Sequence, residues 1–195
     1  MHALVVLAHP DEGSFAHALC QSAVTGLQRA GHVVEVLDLY ALDFQPAMSS
    51  AERVAYHMDK PTLDPLVDDS IAKLQRAEIL VFVYPTWWSS MPAILKGWLE
   101  KTMVPGVAFV FNNDHRVRPG LTKVRHIVGV STYGGPRSYV RLVNDNGRRT
   151  LLRALRLNTG LRTRSTWLGL YAIDTSSAQT REAFLRRVES RMARV

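Results

Sequence analysis

Three short segments carry residues of the kinds that bind a nucleotide. In residues 9–15, Ser14 stands just ahead of a predicted helix, so a hydroxyl and free backbone amides can hold a phosphate. Residues 85–89 contain two adjacent tryptophans, whose flat apolar rings suit a planar aromatic ligand. Residues 131–136 contain paired glycines, which let a ligand approach the backbone because they have no side chain.

These features together fit a flavin nucleotide, with its phosphate on the first segment and its ring system over Trp87 and Trp88. The first segment lacks the G-x-G-x-x-G of a dinucleotide site and the G-x-x-x-x-G-K of a P-loop, so neither of those sites is expected. Taken alone, the tryptophan pair fits a core or a subunit contact equally well. The prediction therefore depends on the three segments meeting in space.

Each of the three segments follows a short apolar run that is typical of a strand buried in a parallel sheet. Helical stretches alternate with such runs five times, which predicts an α/β fold with a doubly wound parallel sheet and helices on both faces. In such a sheet ligands bind at the carboxyl ends of the strands, where the three segments converge. The predicted strands are residues 2–8, 32–37, 79–84, 124–131 and 163–171.

Local signals give further detail. The helix after the third strand is predicted to open at Pro92, with Ser89 or Ser90 as its cap. Residues 41–63 indicate a surface excursion with a short helical patch at 51–57, and residues 106–111 have a hairpin-like pattern.

Composition indicates a single domain over residues 1–195, since 47% of the residues are hydrophobic and the length allows a full core. No apolar run approaches the ~20 residues that span a bilayer, and no signal-peptide pattern opens the sequence, so we expect a cytoplasmic protein. Cys20, the only cysteine, falls on the apolar side of the first helix and is expected to be a packed thiol.

The formal charge of +7 comes largely from arginines after residue 136. A solvated helix face explains such a cluster, and so does binding of acidic lipid, a nucleotide phosphate or an acidic partner. It could also select NADPH through the 2′-phosphate. No nucleic-acid-binding motif accompanies it, so nucleic acid is not an expected partner.

Several motifs carry a resemblance that spans nearly the whole chain. They are Val5-Val-Leu-Ala-His-Pro10, Phe82-Val-Tyr-Pro85, Pro92-Ala-Ile-Leu-Lys-Gly-Trp98 and Gly134-Gly135. With these motifs the chain resembles the flavodoxin-like NAD(P)H:quinone oxidoreductases, which include the mammalian quinone reductases and bacterial relatives. The resemblance implies strand order 2-1-3-4-5, a bound FAD with FMN as the alternative, and a homodimer. Residues 41–63 and 111–118 are the candidate dimer contacts.

The resemblance also implies site residues. The positions that hold the ribityl chain and phosphate are matched by His9, Ser14, Phe15 and Ala16. Those that border the ring are matched by Pro85, Thr86, Trp87, Trp88 and Ser89. Those that contact the ring from the other side are matched by Thr132, Tyr133, Gly134 and Gly135. Contacts that favour FAD over FMN are matched by Ile173 and Arg181.

The implied reaction is ping-pong: NAD(P)H reduces the flavin and leaves, and a quinone or similar acceptor then takes two electrons in the same pocket. Family members carry a tyrosine and, six residues later, a histidine that relays charge. Here Tyr139 is the matching tyrosine, and the later position is Asp145. Without that histidine, Tyr133 or Tyr139 is expected to act alone or with solvent.

Two other functions remain open from the sequence. Ala8-His-Pro-Asp-Glu12 is similar to the zinc-binding strand end of sugar-amide deacetylases, but His115 and His126 lack the spacing of a metal pair, so no metal is expected. The basic helices could instead dock a membrane transporter, which would make the chain a flavin-binding regulatory subunit of a potassium-efflux type.

Overall fold

The computed structural model describes residues 1–56, 58, 61–160 and 162–195. The predicted end of the helical patch at His57 lies outside this set. Strands in the described residues are β1 (His2–Leu7), β2 (Val33–Asp38), β3 (Ile79–Pro85), β4 (Phe109–Phe111), β5 (Val117–Pro119), β6 (His126–Thr132) and β7 (Arg164–Leu170).

Helices connect these strands. They are α1 (Phe15–Arg29), α2 (Ser50–Ala55), α3 (Pro65–Arg76), α4 (Ala93–Thr102), α5 (Arg137–Leu142), α6 (Asn146–Arg149), α7 (Arg156–Thr159) and α8 (Ala178–Met192). A π-helical segment, Thr150–Leu155, joins α6 to α7, so residues 146–159 form one continuous helix. A 3₁₀ turn, Ile173–Thr175, follows β7.

Five strands form one parallel sheet in the order β2-β1-β3-β6-β7. Counted within the sheet this is 2-1-3-4-5, which confirms the predicted topology. The two remaining strands, β4 and β5, pair as a small antiparallel hairpin. Because β1 and β6 both flank β3, their carboxyl ends lie on either side of Pro85, whose partner in β6 is Thr132.

Alternation along the strands divides the apolar side chains between two cores. Val5, Val81 and Val130 face α1 and α8, whereas Leu80 and Phe82 face the side that α3 and α4 cover. Helices therefore lie on both faces, as predicted. None of the described helices is both long and apolar enough to cross a bilayer.

Two local predictions have different outcomes. Cys20 is buried, as expected, and burial raises the pKa of its thiol to about 12. The predicted serine cap of α4 is wrong, because Pro92 occupies the cap position and no side chain caps the helix. Ser89 and Ser90 belong instead to a tight turn that closes before the helix begins.

Candidate functional site

The three predicted segments meet at the carboxyl edge of the sheet. The amide of Thr86 donates to the carbonyl of Thr132 (2.8 Å), and the hydroxyls of Thr86 and Ser131 lie 2.9 Å apart. On the other side of β3, the amide of Ala8 donates to the carbonyl of Val83 (3.0 Å). These bonds fix the segment after β3 between the other two.

A cleft of about 230 Å³ opens beside this segment, and we call it the ring cleft. Its strand side is lined by Thr86, Trp88, Ser89, Tyr133, Gly134 and Gly135. Its helix side is lined by Tyr139, Val140, Val143 and Asp145. Six of the predicted ring contacts and both predicted catalytic tyrosines therefore line one cavity.

Ser14 caps α1 and stands in a chain of polar contacts. Its hydroxyl accepts from the amide of His17 (3.4 Å) and lies 3.1 Å from Nδ1 of the same histidine. Nε2 of His17 lies 3.1 Å from a carboxylate oxygen of Asp38. No described group accepts from the amides of Phe15 and Ala16, so two donors stand open at this helix end.

His9 lies between the first segment and the tryptophan turn. Its Nδ1 lies 3.1 Å from the amide nitrogen and 3.2 Å from the carbonyl oxygen of Asp11, so the ring is held against that segment. Its ring centre is 6.0 Å from that of Trp87. His9 and Trp87 therefore form the part of the edge next to β1, and neither lines the ring cleft.

The turn after β3 separates the two tryptophans. Trp87 and Ser90 exchange two backbone hydrogen bonds of 3.0 Å, and the two residues between them, Trp88 and Ser89, have φ of 47° and 58°. Positive φ at both central positions is the geometry of a type I′ turn, which is uncommon for residues other than Gly, Asn and Asp. It leaves the Trp88 side chain fully exposed, at 101%.

The buried phenol of Tyr133 pairs with the half-buried carboxylate of Asp145 in the lining of the ring cleft. The Tyr133 hydroxyl donates to the Asp145 carboxylate, at 3.0 and 3.2 Å from its two oxygens. The Tyr133 ring also stacks on Tyr171, with 4.6 Å between centres. Burial raises the pKa of Tyr133 strongly, and the charge on Asp145 adds to this. The phenol therefore stays protonated and serves as a fixed donor.

Asp145 is a half-buried carboxylate in a left-handed backbone conformation, with φ of 45°. Burial raises its pKa, although the bond from Tyr133 and the charge on Arg148 act in the opposite direction. Strained residues of this kind are concentrated at functional sites. The sequence identified Asp145 only as the replacement of a missing histidine, and nothing in the spacing indicated its bond to Tyr133.

A family comparison agrees with the fold. A protein-family model described as a flavodoxin-like fold matches residues 1–192. The chain belongs to this family.

Individual relatives of this flavodoxin-like chain cover different shares of it. NAD(P)H dehydrogenase (quinone) 1 of Rattus norvegicus is 31% identical over 152 residues, which are 70% of this chain and 55% of the relative. The chain thus spans about half the length of the curated relatives it matches first.

Two solved structures extend over nearly all of the flavodoxin-like chain. An NAD(P)H:quinone oxidoreductase from Methanothermobacter marburgensis is 25% identical with a TM-score of 0.80, covering 99% of this chain and 94% of that one. A crystal structure from Streptococcus mutans UA159 is 24% identical with a TM-score of 0.85 and covers 100% of both chains.

The remaining predicted contacts of the flavodoxin-like chain lie outside the ring cleft. The amide of Ile173 donates to the Tyr133 carbonyl (3.0 Å), so Ile173 stands directly behind the cleft wall. The Arg181 guanidinium donates to the Ser176 carbonyl (2.6 Å) near the start of α8. Pro85 ends β3, and Thr132 pairs with it.

The backbone at this edge fits a flavin. The amides of Gly134 and Gly135 have no acceptor among the described groups, like those of Phe15 and Ala16. Donors on two sides of the tryptophan turn match a ligand with phosphate oxygens at one end and ring carbonyls at the other. A Cβ on Gly135 would lie 2.9 Å from the Tyr139 ring, so a side chain at this position would take up space in the ring cleft.

The edge offers little to a metal. His9 and Asp11 are joined by the bond from the Asp11 amide, and the Asp11 carboxylate accepts from the amide of Gly13 (2.9 Å). Within the described residues no three His, Cys, Asp or Glu side chains are grouped so that they could hold an ion. The zinc-hydrolase alternative therefore has no support from this geometry.

Proposed function

We propose that this chain is a flavin-dependent NAD(P)H:quinone-type oxidoreductase that transfers two electrons in a ping-pong reaction. One observation carries the proposal: open backbone donors at the start of α1 and after β6 lie at the sheet edge that holds the ring cleft, which Trp88 and the Tyr133–Asp145 pair border. The names of the rat relative and of the methanogen structure support the same reaction class.

The flavin would supply hydride acceptance and donation, while the protein supplies binding and orientation. The Ser14 hydroxyl and the amides of Phe15 and Ala16 would hold its phosphate. The amides of Gly134 and Gly135 would receive polar atoms of the ring, and Trp88 would cover one face of the ring. We favour FAD over FMN because Ile173 and Arg181 match FAD contacts.

The Tyr133–Asp145 pair would take the place of the absent histidine. Tyr133 holds its proton and donates it in a hydrogen bond, which orients the carboxylate toward the cleft. A carboxyl whose pKa is raised by burial holds a proton more readily than an exposed one. Asp145 can therefore stabilise charge that develops on a substrate in the cleft, with Tyr139 on the same wall.

We also propose a homodimer in which the partner closes the ring cleft. The fully exposed indole of Trp88 and the half-exposed ring of Tyr139 leave apolar surface beside the cleft. The β4–β5 hairpin exposes Phe111 and Val117, which makes it a suitable contact for a second copy.

The first test is the absorption spectrum of the purified protein, followed by chromatography of the chromophore released on denaturation. We expect flavin bands and FAD. Anaerobic mixing with NADH or NADPH should bleach the bands, and an added naphthoquinone should restore them. A protein that binds neither FAD nor FMN in a fluorescence titration would contradict the proposal. A flavin that neither nucleotide reduces would favour the regulatory-subunit alternative.

A further inference from the structure

A second cleft of about 430 Å³ lies next to the ring cleft, and arginines from two helices line it. We call it the arginine cleft. Five of its cationic side chains are Arg137 and Arg141 of α5 together with Arg148, Arg149 and Arg153 of the helix at 146–159, and Arg156 of the same helix also lines it. None of these five side chains forms an ion pair with a carboxylate in the described part of the chain.

Their arrangement differs from that of helix cations elsewhere in the molecule. On α3, α4 and α8, Lys73, Lys96 and Arg186 each pair with an acidic residue one turn away. In the arginine cleft, Arg149 and Arg153 instead stand four residues apart with like charges, as Arg137 and Arg141 do. Such spacing destabilises a helix, and Asp145 is the one carboxylate among the described residues that line the cleft, so the arginines outnumber the acid that could compensate them.

The two clefts adjoin each other. Val140 and Asp145 line both of them, and Tyr171, on which Tyr133 stacks, belongs to the wall of the arginine cleft. The π-helical segment Thr150–Leu155 lies in the same wall, and segments of this kind are frequent at functional sites. A ligand whose ring occupies the ring cleft therefore has a cationic space on the other side of Asp145.

We propose that the arginine cleft binds a phosphate-type anionic group of a substrate whose reacting ring lies in the ring cleft. The inference rests on the proposed oxidoreductase function, because it places one substrate across both clefts. Guanidinium groups suit such anions because their planar donors can form two parallel hydrogen bonds to the oxygens. Two sources carry this group: the 2′-phosphate of NADPH, and an acidic substituent on the electron acceptor.

The test compares Arg149→Gln/Arg153→Gln with Arg187→Gln/Arg194→Gln. The second variant removes two exposed arginines on or just after α8 and gives the same change in net charge. For the flavin-loaded proteins, calorimetry measures the Kd of NADP⁺ and of NAD⁺. Steady-state assays compare NADPH with NADH, and a sulfonated naphthoquinone with the same quinone lacking the sulfonate.

Relative to the control, we expect the cleft variant to show a preference for the anionic member of one pair that is about tenfold smaller. This corresponds to about 1.4 kcal/mol. A change in the NADP⁺/NAD⁺ and NADPH/NADH ratios supports the donor phosphate as the ligand. A change confined to the quinone pair supports an acidic acceptor. Equal ratios in the cleft variant and the control would overturn the inference. The proposed function is tested separately by whether NADH bleaches the wild-type flavin.

Discussion

The hydroxyl of Tyr133 donates to the carboxylate of Asp145 across 3.0 Å, and the two residues are twelve positions apart in the sequence. The bond joins the carboxyl end of β6 to the start of the helix at 146–159, so it closes one wall of the ring cleft. A buried phenol can satisfy only part of the hydrogen-bonding capacity of a carboxylate. The Asp145 carboxylate can therefore accept from further donors, of which the Arg148 backbone is one.

Replacing Asp145 by Asn should stabilise the protein at neutral pH. Asparagine tolerates the left-handed conformation and can still accept from Tyr133, but it carries no charge to desolvate. Burial raises the pKa of Asp145 above its ordinary value of 3.8. The stability that this group contributes to the wild type is therefore fully present below pH 3.8, and it is lost as the pH rises through the raised pKa of the folded state. Thermal unfolding at pH 7.5 and pH 4 measures the difference.

We expect a higher Tm for Asp145→Asn at pH 7.5 and a smaller difference at pH 4. In the same variant, NAD(P)H should reduce the flavin more slowly. A gain in stability with a loss of activity is expected when a functional carboxylate is replaced. A variant that is less stable at both pH values would show that the ionised carboxylate supports the fold.

Ser14→Ala should separate the two roles of this serine. Loss of an N-cap costs about 1 kcal/mol of folding free energy. Asp64 caps α3 with its carboxylate, which accepts from the amide of Leu66 (2.9 Å), and it neither lines the ring cleft nor belongs to the proposed FAD contacts. We expect Ser14→Ala and Asp64→Ala to lower the free energy of unfolding by similar amounts in urea, while only Ser14→Ala raises the Kd of FAD. Equal FAD affinities would remove Ser14 from the binding site.

Trp88→Ala should weaken flavin binding without affecting stability. The indole is fully exposed, so its removal exposes little further apolar surface in the free protein. Leu142→Ala is a suitable control, because Leu142 is 83% exposed and does not line the ring cleft. Fluorescence titration with FAD should give a Kd about tenfold higher for Trp88→Ala, the loss expected for an aromatic contact of about 1.4 kcal/mol.

Gly26→Ala should destabilise the fold although alanine favours helices. A Cβ at this position of α1 would lie 2.4 Å from the backbone carbonyl of Glu189 in α8. The two helices would have to separate, at a cost of about 1–3 kcal/mol. Thr25→Ala, at the neighbouring exposed position, should instead stabilise α1 slightly. A rise in Tm for both variants would contradict the close packing of α1 on α8.

The sequence predicted the sheet and the meeting of three strand ends, because buried parallel strands are continuous apolar runs whose order follows the alternation with helices. Contacts set by loop conformation were not predictable. Asp38 meets His17 only because β2 ends beside α1, and Asp145 reaches Tyr133 only through a left-handed backbone. Ser89 and Ser90 suggested a helix cap, since no glycine or asparagine marked the type I′ turn that they occupy.

Two backbone hydrogen bonds tie the glycine wall of the ring cleft to the segment after β7: the amide of Ala172 donates to Gly135, and that of Ile173 donates to Tyr133. We therefore expect the wall and this segment to move together. A ligand that binds against the wall should therefore also reduce the mobility of the segment between β7 and α8. Slower deuterium uptake at the amides of Ala172 and Ile173 would thus report that the ring cleft is occupied, without a label inside the cavity.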